Sequence, residues 1–129
     1  MKIRPFLPSD FDHVCALLIS KGVEPPATLE EIAGLDLVAE EDGQIVGNIY
    51  ALLGQSTKAY VDFFAVKDGG IGGQRIALQL VLHLETVMRI AGKTRYDFYV
   101  EQFNERFKRI ASTHGAKRLR DLSFFRMEL

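Results

Sequence analysis

Apolar residues recur at two spacings along this chain, and each change of spacing marks where one element gives way to the next. Phe11, Val14, Cys15 and Leu18 fall at i, i+3, i+4 and i+7, the repeat that lines one face of a helix. That helix should end near Gly22, with His13 on the opposite, solvent side. Ser9 stands three residues before Asp12, a spacing in which the hydroxyl satisfies a free N–H and the carboxylate suits the helix dipole. Before it, residues 2–6 read as a short strand stopped by Pro8. Beyond it, Pro25-Pro26 enforces a loop, and Thr28 with Glu31 predicts the cap of a short second helix through Ile32.

In the middle of the chain, residues 37–40 and 45–53 flank Glu40-Glu41-Asp42-Gly43. Asp42-Gly43 accepts the positive φ of a tight hairpin turn. A second turn at 54–57 leads into residues 58–66, so three antiparallel strands in a meander are predicted. The glycine-rich stretch 68–73 follows as a loop, then a helix of about twenty residues to Ala91, stopped by Gly92. Ile76, Leu80, Leu84 and Met88 lie at the centre of its broad apolar arc, with Arg75, Gln79, His83 and Arg89 opposite. Leu78, Leu82 and Ile90 interrupt the polar side, which implies cover by another element or by a second copy in a homodimer. Residues 94–100 read as a strand. Phe103, Phe107, Ile110 and Ala111 mark a last helix closed by Gly115, and 117–121 with 124–129 read as a final hairpin. The predicted order is β-α-α-β-β-β-α-β-α-β-β in one α/β domain over residues 1–129.

Composition narrows the class. A chain of 129 residues, 47% hydrophobic, buries roughly two-thirds of its unfolded surface and needs no staple. Cys15 is alone, which excludes an intramolecular disulfide and a cysteine-based zinc site, and three scattered histidines make no metal motif. No metal is expected. There is no apolar run of membrane-spanning length and no apolar segment behind the N-terminus, so the reading is a cytoplasmic protein with no membrane partner. Sixteen basic against seventeen acidic residues argue against a nucleic-acid module. The charge is uneven, however: net −5 over residues 1–91 and net +4 over 92–129. Such asymmetry suits a polyanionic cofactor or a cationic substrate.

The chemistry-bearing feature is the strand, glycine run and helix from Tyr60 to Ala91. A helix start offers unpaired N–H groups, and glycines let a phosphate reach the backbone. Neither phosphate motif is complete: no Lys-Ser/Thr follows the glycines, and Arg75 stands where the dinucleotide fingerprint needs glycine. A plain flexible turn therefore stays open as an alternative.

Three stretches together resemble the GNAT family of acetyl-CoA-dependent N-acetyltransferases: LVAEEDGQIVGNIYA, VDFFAVKDGGIGG leading into the long helix, and YVEQFNERFKRIASTHGAKRL. In the last, Asn104 and Gly115 fall in the family's register, whereas Phe107 takes a small-residue position, Ala116 an aromatic one, and Ala111 that of the tyrosine that often acts as general acid. The family's phosphate motif finds its best match in Lys67-x-x-Gly70-x-Gly72; an ungapped placement puts Ile71, Gln74 and Ile76 at the key positions instead.

The resemblance implies a mixed, mostly antiparallel sheet of six to seven strands with about four helices. It implies acetyl-CoA as co-substrate, its pyrophosphate on the amides of Gly70, Ile71, Gly72 and Gly73 with Lys67 beside them. The pantetheine would follow the edge at Phe64, Ala65 and Val66, in a gap beside strand 94–100. Asn104 would contact the cofactor, or simply cap its helix. An amine must attack as the free base, so a carboxylate is needed. Asp62, four residues before Val66 and by alternation on the face of Phe64 and Val66, is that base candidate; a surface strand Asp is the alternative. With Ala111 in place, Tyr99, Ser112 or His114 could protonate the leaving thiolate, or water could do so after it leaves; of the side chains, Tyr99 on the neighbouring strand is the candidate. Residues 19–35 and 121–125 would hold the acceptor, and Glu24, Glu30 and Glu31 make the first region acidic, which suits a small cationic amine or a lysine-bearing acceptor. A non-catalytic acyl-CoA-binding or structural domain on the same scaffold is the rival reading.

Overall fold

In the computed structural model the described residues form five strands, three α-helices and two 3-10 turns. Residues 1–32, 34–67, 70–101 and 104–129 are described. They group into two compact units, residues 1–99 and 100–129.

The first unit holds β1 (Lys2–Pro5), α1 (Phe11–Ser20), β2 (Leu35–Glu41), β3 (Gln44–Leu52), β4 (Lys58–Val66), α2 (Gly70–Ile90) and β5 (Arg95–Asp97). Its sheet runs β1-β2-β3-β4-β5, antiparallel at the first three joints and parallel at the last. Two helices cover its two faces: α2 with the predicted stripe, α1 with Val14 and Leu18 of its predicted stripe joined by Leu17, while Phe11 and Cys15 are only half-buried. Val14, Leu17 and Leu18 of α1 pack with Val38, Tyr50, Phe63 and Ala65. Ile76, Leu80, Leu84 and Met88 of α2 pack with Leu37, Ile49, Ala51 and Val61. At Gly47 a Cβ would stand 2.8 Å from Leu80 Cδ1, so the absence of a side chain there lets α2 sit down on β3. Asp42 and Gly43 both take positive φ, +52° and +77°, the turn that the meander required.

Several expectations are corrected. A 3-10 turn, Pro8–Asp10, precedes α1, and the group that organises it is Asp10, not Ser9. The Asp10 carboxylate accepts the Leu7 amide at 2.8 Å and both Arg4 nitrogens at 2.7 and 2.9 Å; charge-assisted bonds outcompete a lone hydroxyl. The second helix is a single 3-10 turn, Leu29–Glu31, without a Thr28 side-chain cap; Glu31 Oε2 instead accepts the Ala27 amide at 2.8 Å. Pro25-Pro26 before it and the handover to β2 after it leave too few residues for a helix nucleus to extend. The glycine run is not a loop from 70 onward, because α2 begins at Gly70. The strand expected over 94–100 shortens to Arg95–Asp97.

The second unit is α3 (Glu105–Thr113), with the Asn104 Oδ1 accepting the Phe107 amide at 3.1 Å and Gly115 at φ +105°. Phe103, expected on the face of this helix, lies outside the described residues. Residues 116–129 contain no strand, so among the described residues the sheet has five strands where six to seven were expected, and the α-helices are three where about four were expected. Leu122-Ser123 offers neither glycine nor asparagine for a tight turn, Arg118 pairs with Asp121 three residues on, and a two-stranded ribbon alone is marginal in water. Among the described residues no helix is long and apolar enough to cross a membrane.

Candidate active site

The site forms where β4 and β5 part. They pair only over Lys58–Tyr60 and Arg95–Asp97. From Val61 to Val66, β4 stays paired with β3 on one side, while among the described residues no strand lies beside its other edge. Within this stretch the β3–β4 register shifts between Tyr50 and Ala51, which leaves Asp62 as the residue with no opposite number. The bulge reverses the alternation of β4. Ala59 and Val61 face the α2 core, and so do Phe64 and Val66, whereas Phe63 and Ala65 face α1. The even spacing that put Asp62 on the face of Phe64 and Val66 therefore does not hold: those two are packed, and Asp62 is exposed. Bulges re-aim a side chain in this way.

Tyr99 has a neighbour that the sequence reading missed, Tyr60, two residues before Asp62 on β4. The Tyr99 ring stands edge-on to the Tyr60 ring, centroids 5.5 Å apart and planes at 73°. Burial above all, with the nearby Tyr99 and Asp62 adding to it, holds the Tyr60 hydroxyl above its ordinary value, so it stays protonated. Partial desolvation also lifts the Asp62 carboxyl above the usual aspartate value, the direction a base working near neutrality requires. The spacing Tyr60-x-Asp62 was the available signal, hidden because an apolar strand gives no hint of a bulge.

The residues expected to hold acetyl-CoA fall into three groups. Phe64, Ala65 and Val66 spend their side chains on packing, so what β4 can present along its open edge is backbone. Lys67 is exposed at the end of the strand, its amide bonded to Val46 O at 2.8 Å and its Nζ to Gln44 Oε1 at 3.5 Å. Gly70, Ile71, Gly72 and Gly73 form the first turn of α2, where amides have no intrahelical acceptor. Ile71 points to solvent, and a Cβ at Gly72 would meet nothing within 4 Å, so the turn is open to an anion. Asp68 and Gly69, inside the expected motif, lie outside the described residues. Asn104 caps α3, and Ser112 and His114 end the same helix; all three belong to the second unit.

Two other polar features lie away from the fork. Asp36 and Asn48 are buried side by side between β2 and β3, the Asn48 Nδ2 donating to Asp36 Oδ1 at 2.5 Å and to Leu37 O at 3.1 Å. Asp36 Oδ2 and Asn48 Oδ1 are buried without a partner. Burial drives the Asp36 carboxyl up to about 7. A cleft of about 430 Å³ lies between α1 and the β2–β3 turn; Arg4 bonds Asp10 and Glu40 within it, Lys67 also lines it, and Tyr60, Asp62 and Tyr99 do not.

No family model matches the chain, and no curated protein matches it by sequence. Solved structures do. A ribosomal-protein-alanine N-acetyltransferase from Brucella melitensis biovar Abortus 2308 superposes with a TM-score of 0.78 at 18% identity, over 98% of this chain and 99% of that one. The aminoglycoside 6'-N-acetyltransferase AAC(6')-IG from Acinetobacter haemolyticus gives 0.75 at 16% identity, over 100% and 99%. AAC(6')-Iy in complex with CoA gives 0.75 at 16% identity, over 99% and 100%. The chain therefore has the fold of the GNAT acetyltransferases.

Proposed function

We propose that this chain is an acyl-CoA-dependent N-acetyltransferase that moves an acetyl group from acetyl-CoA to a primary amine. The observation that carries this reading is the fork of β4 and β5, which leaves β4 from Val61 to Val66 with an open edge that carries the exposed Asp62 and runs toward a glycine-rich first turn of α2, where Gly72 meets open space. Its fold likeness to N-acetyltransferases, one of them in complex with CoA, supports it. The Gly70–Gly73 amides would meet the pyrophosphate, and the backbone of Phe64, Ala65 and Val66 would hold the pantetheine. Asn104, a helix cap in the second unit, keeps a cofactor role only through the family resemblance.

Asp62 takes a proton from the amine, directly or through water, as nitrogen bonds to the acetyl carbon. Tyr99 gives its proton to the sulfur as the C–S bond breaks, the part that Ala111 cannot play. One proton leaves the amine and one reaches the thiolate, so the sum is balanced. Acidic Glu24, Glu30 and Glu31 favour a cationic acceptor, a small amine or a lysine side chain. Cytoplasmic location and a homodimer belong to the same reading.

The test joins binding to turnover. Acetyl-CoA and CoA, but not ATP, should raise the melting temperature, and a panel of polyamines and lysine peptides should release CoA thiol. Asp62→Asn should cut the transfer rate about a hundredfold with acetyl-CoA affinity within about twofold; an unchanged rate removes Asp62 as base. The second reading, an acyl-CoA-binding domain without catalysis, is favoured by Ala111 and the irregular phosphate motif, and binding without thiol release across the panel would establish it.

A further inference from the structure

Beneath α1, between β2 and β3, lies a buried carboxyl group with no cation paired to it among the described residues. Asp36 stands two residues before Val38 on β2 and Asn48 two before Tyr50 on β3, so alternation turns both toward the face that α1 covers. Asp36 is 6% exposed and Asn48 0%. Arg4 of β1 spends Nη1 and Nη2 on Asp10 and Pro5 O, and Nε on Glu40. Asp10, in the turn before α1, carries a charge that opposes a second one on Asp36. Tyr50 lies opposite Asp36 in register, its hydroxyl donating to Glu31 O at 3.4 Å. α1 meets this face with Val14, Leu17 and Leu18, and its His13 acts on Asp10.

The neighbours of Asn48 fix the orientation of its amide. The nitrogen donates to Asp36 Oδ1 at 2.5 Å and to Leu37 O at 3.1 Å; both are acceptors, so the amide oxygen cannot take that place. A carboxylic acid and a primary amide that share one N–H···O bond can close a ring through a second, from the acid O–H to the amide oxygen. The two atoms which that bond would join, Asp36 Oδ2 and Asn48 Oδ1, are the two left buried without a partner. As bare acceptors neither can satisfy the other, whereas one proton between them satisfies both.

We propose that Asp36 Oδ2 carries a proton and donates it to Asn48 Oδ1, closing a two-bond acid–amide clasp that joins β2 to β3 beneath α1 and opens when the proton leaves. Burial lifts the carboxyl to about 7, so the clasp is closed in mildly acidic solution and opens across the neutral range. On opening, the proton passes to solvent, the carboxylate keeps its bond from Nδ2, and Asn48 Oδ1 faces a buried negative charge. The packing of α1 is what loosens as pH rises. None of this depends on the acetyltransferase reading.

NMR of the full chain, labelled with 13C and 15N, tests the clasp from about pH 5 to 9, with Asp36→Asn as the control. In the wild-type protein Asp36 Cγ should have the shift of a carboxylic acid at the acid end and move to that of a carboxylate with a midpoint near 7. Asn48 Cγ should move with the same midpoint, because its carbonyl loses the O–H. In Asp36→Asn a side-chain N–H replaces the acid O–H, and Asn48 Cγ should stay flat over the same range. Amide protection at Val14, Leu17 and Leu18, corrected for intrinsic exchange, should fall at least about tenfold toward alkaline pH in the wild type and stay level in the variant. The two Cγ titrations come from the wild-type protein, so they decide the matter even if Asp36→Asn does not fold. A carboxylate shift for Asp36 already at the acid end overturns the clasp, and so does an Asp36 that titrates while Asn48 Cγ stays still.

Discussion

Two aspartates in the first unit carry opposite pH signatures. Arg4 and the Leu7 amide hold Asp10 below its ordinary value, so its stabilising contribution is present above the unfolded pKa and is lost as pH falls. Asp36 is the reverse: burial outweighs the donation from Asn48 and raises it from 3.8 to about 7. Its carboxyl binds a proton more tightly in the folded state, so its contribution is full below about pH 4 and is lost as pH rises through 7. Asp36→Asn keeps the shape and an acceptor for Asn48 Nδ2 but cannot ionise. It should melt about 3–6 °C higher than wild type at pH 8 and show a flatter melting temperature between pH 5 and 8. Parallel curves for the two proteins over that range would mean that Asp36 does not titrate in the folded state.

Elements were legible where one physical demand dominated. The α2 arc and the meander turn at Asp42-Gly43 follow from burial period and positive φ, and both stand as expected. The bulge at Asp62 was not legible, because Lys58–Val66 is apolar enough that either face could be buried, and only the partner strand decides the register. The terminal hairpin read well by alternation, yet alternation says nothing of a turn or a third strand to pair with. Two glycines show how differently one residue type works. At Gly34 a Cβ would lie 2.2 Å from Ala51 O, a backbone atom that cannot yield, so Gly34→Ala should cost at least about 2 kcal/mol in a denaturant titration. Gly72 has open space, and alanine there should stabilise the unliganded protein by about 0.5–1 kcal/mol through helix propensity. If the first turn of α2 is the phosphate cradle, Gly72→Ala should nonetheless weaken CoA binding. A variant that gains stability and keeps its CoA affinity would move the cradle elsewhere.

At the scale of the whole molecule, the charges act as a field. The net charge of −1 conceals net −5 over residues 1–91, and exposed Glu24, Glu30 and Glu31 lie in that acidic share. A cationic acceptor would be drawn toward it and a CoA polyanion repelled, except at the short-range contacts of the α2 first turn. Salt screens the long-range part over about 10 Å at 0.1 M and about 3 Å at 1 M, while contacts inside the fork are screened less. The two substrates should therefore respond differently to ionic strength. Between about 0.05 and 0.5 M salt, KM for a di- or polyamine should rise several-fold more than KM for a neutral-tailed monoamine of similar length. KM for acetyl-CoA should change less than either, since the repulsion lost at long range offsets attraction lost at the cradle. Glu30→Gln combined with Glu31→Gln should remove much of the polyamine's salt dependence and leave that of acetyl-CoA unchanged. Equal salt sensitivity for charged and uncharged amines would show that the acidic region does not face the acceptor, and selection would then have to be sought in the shape of the fork.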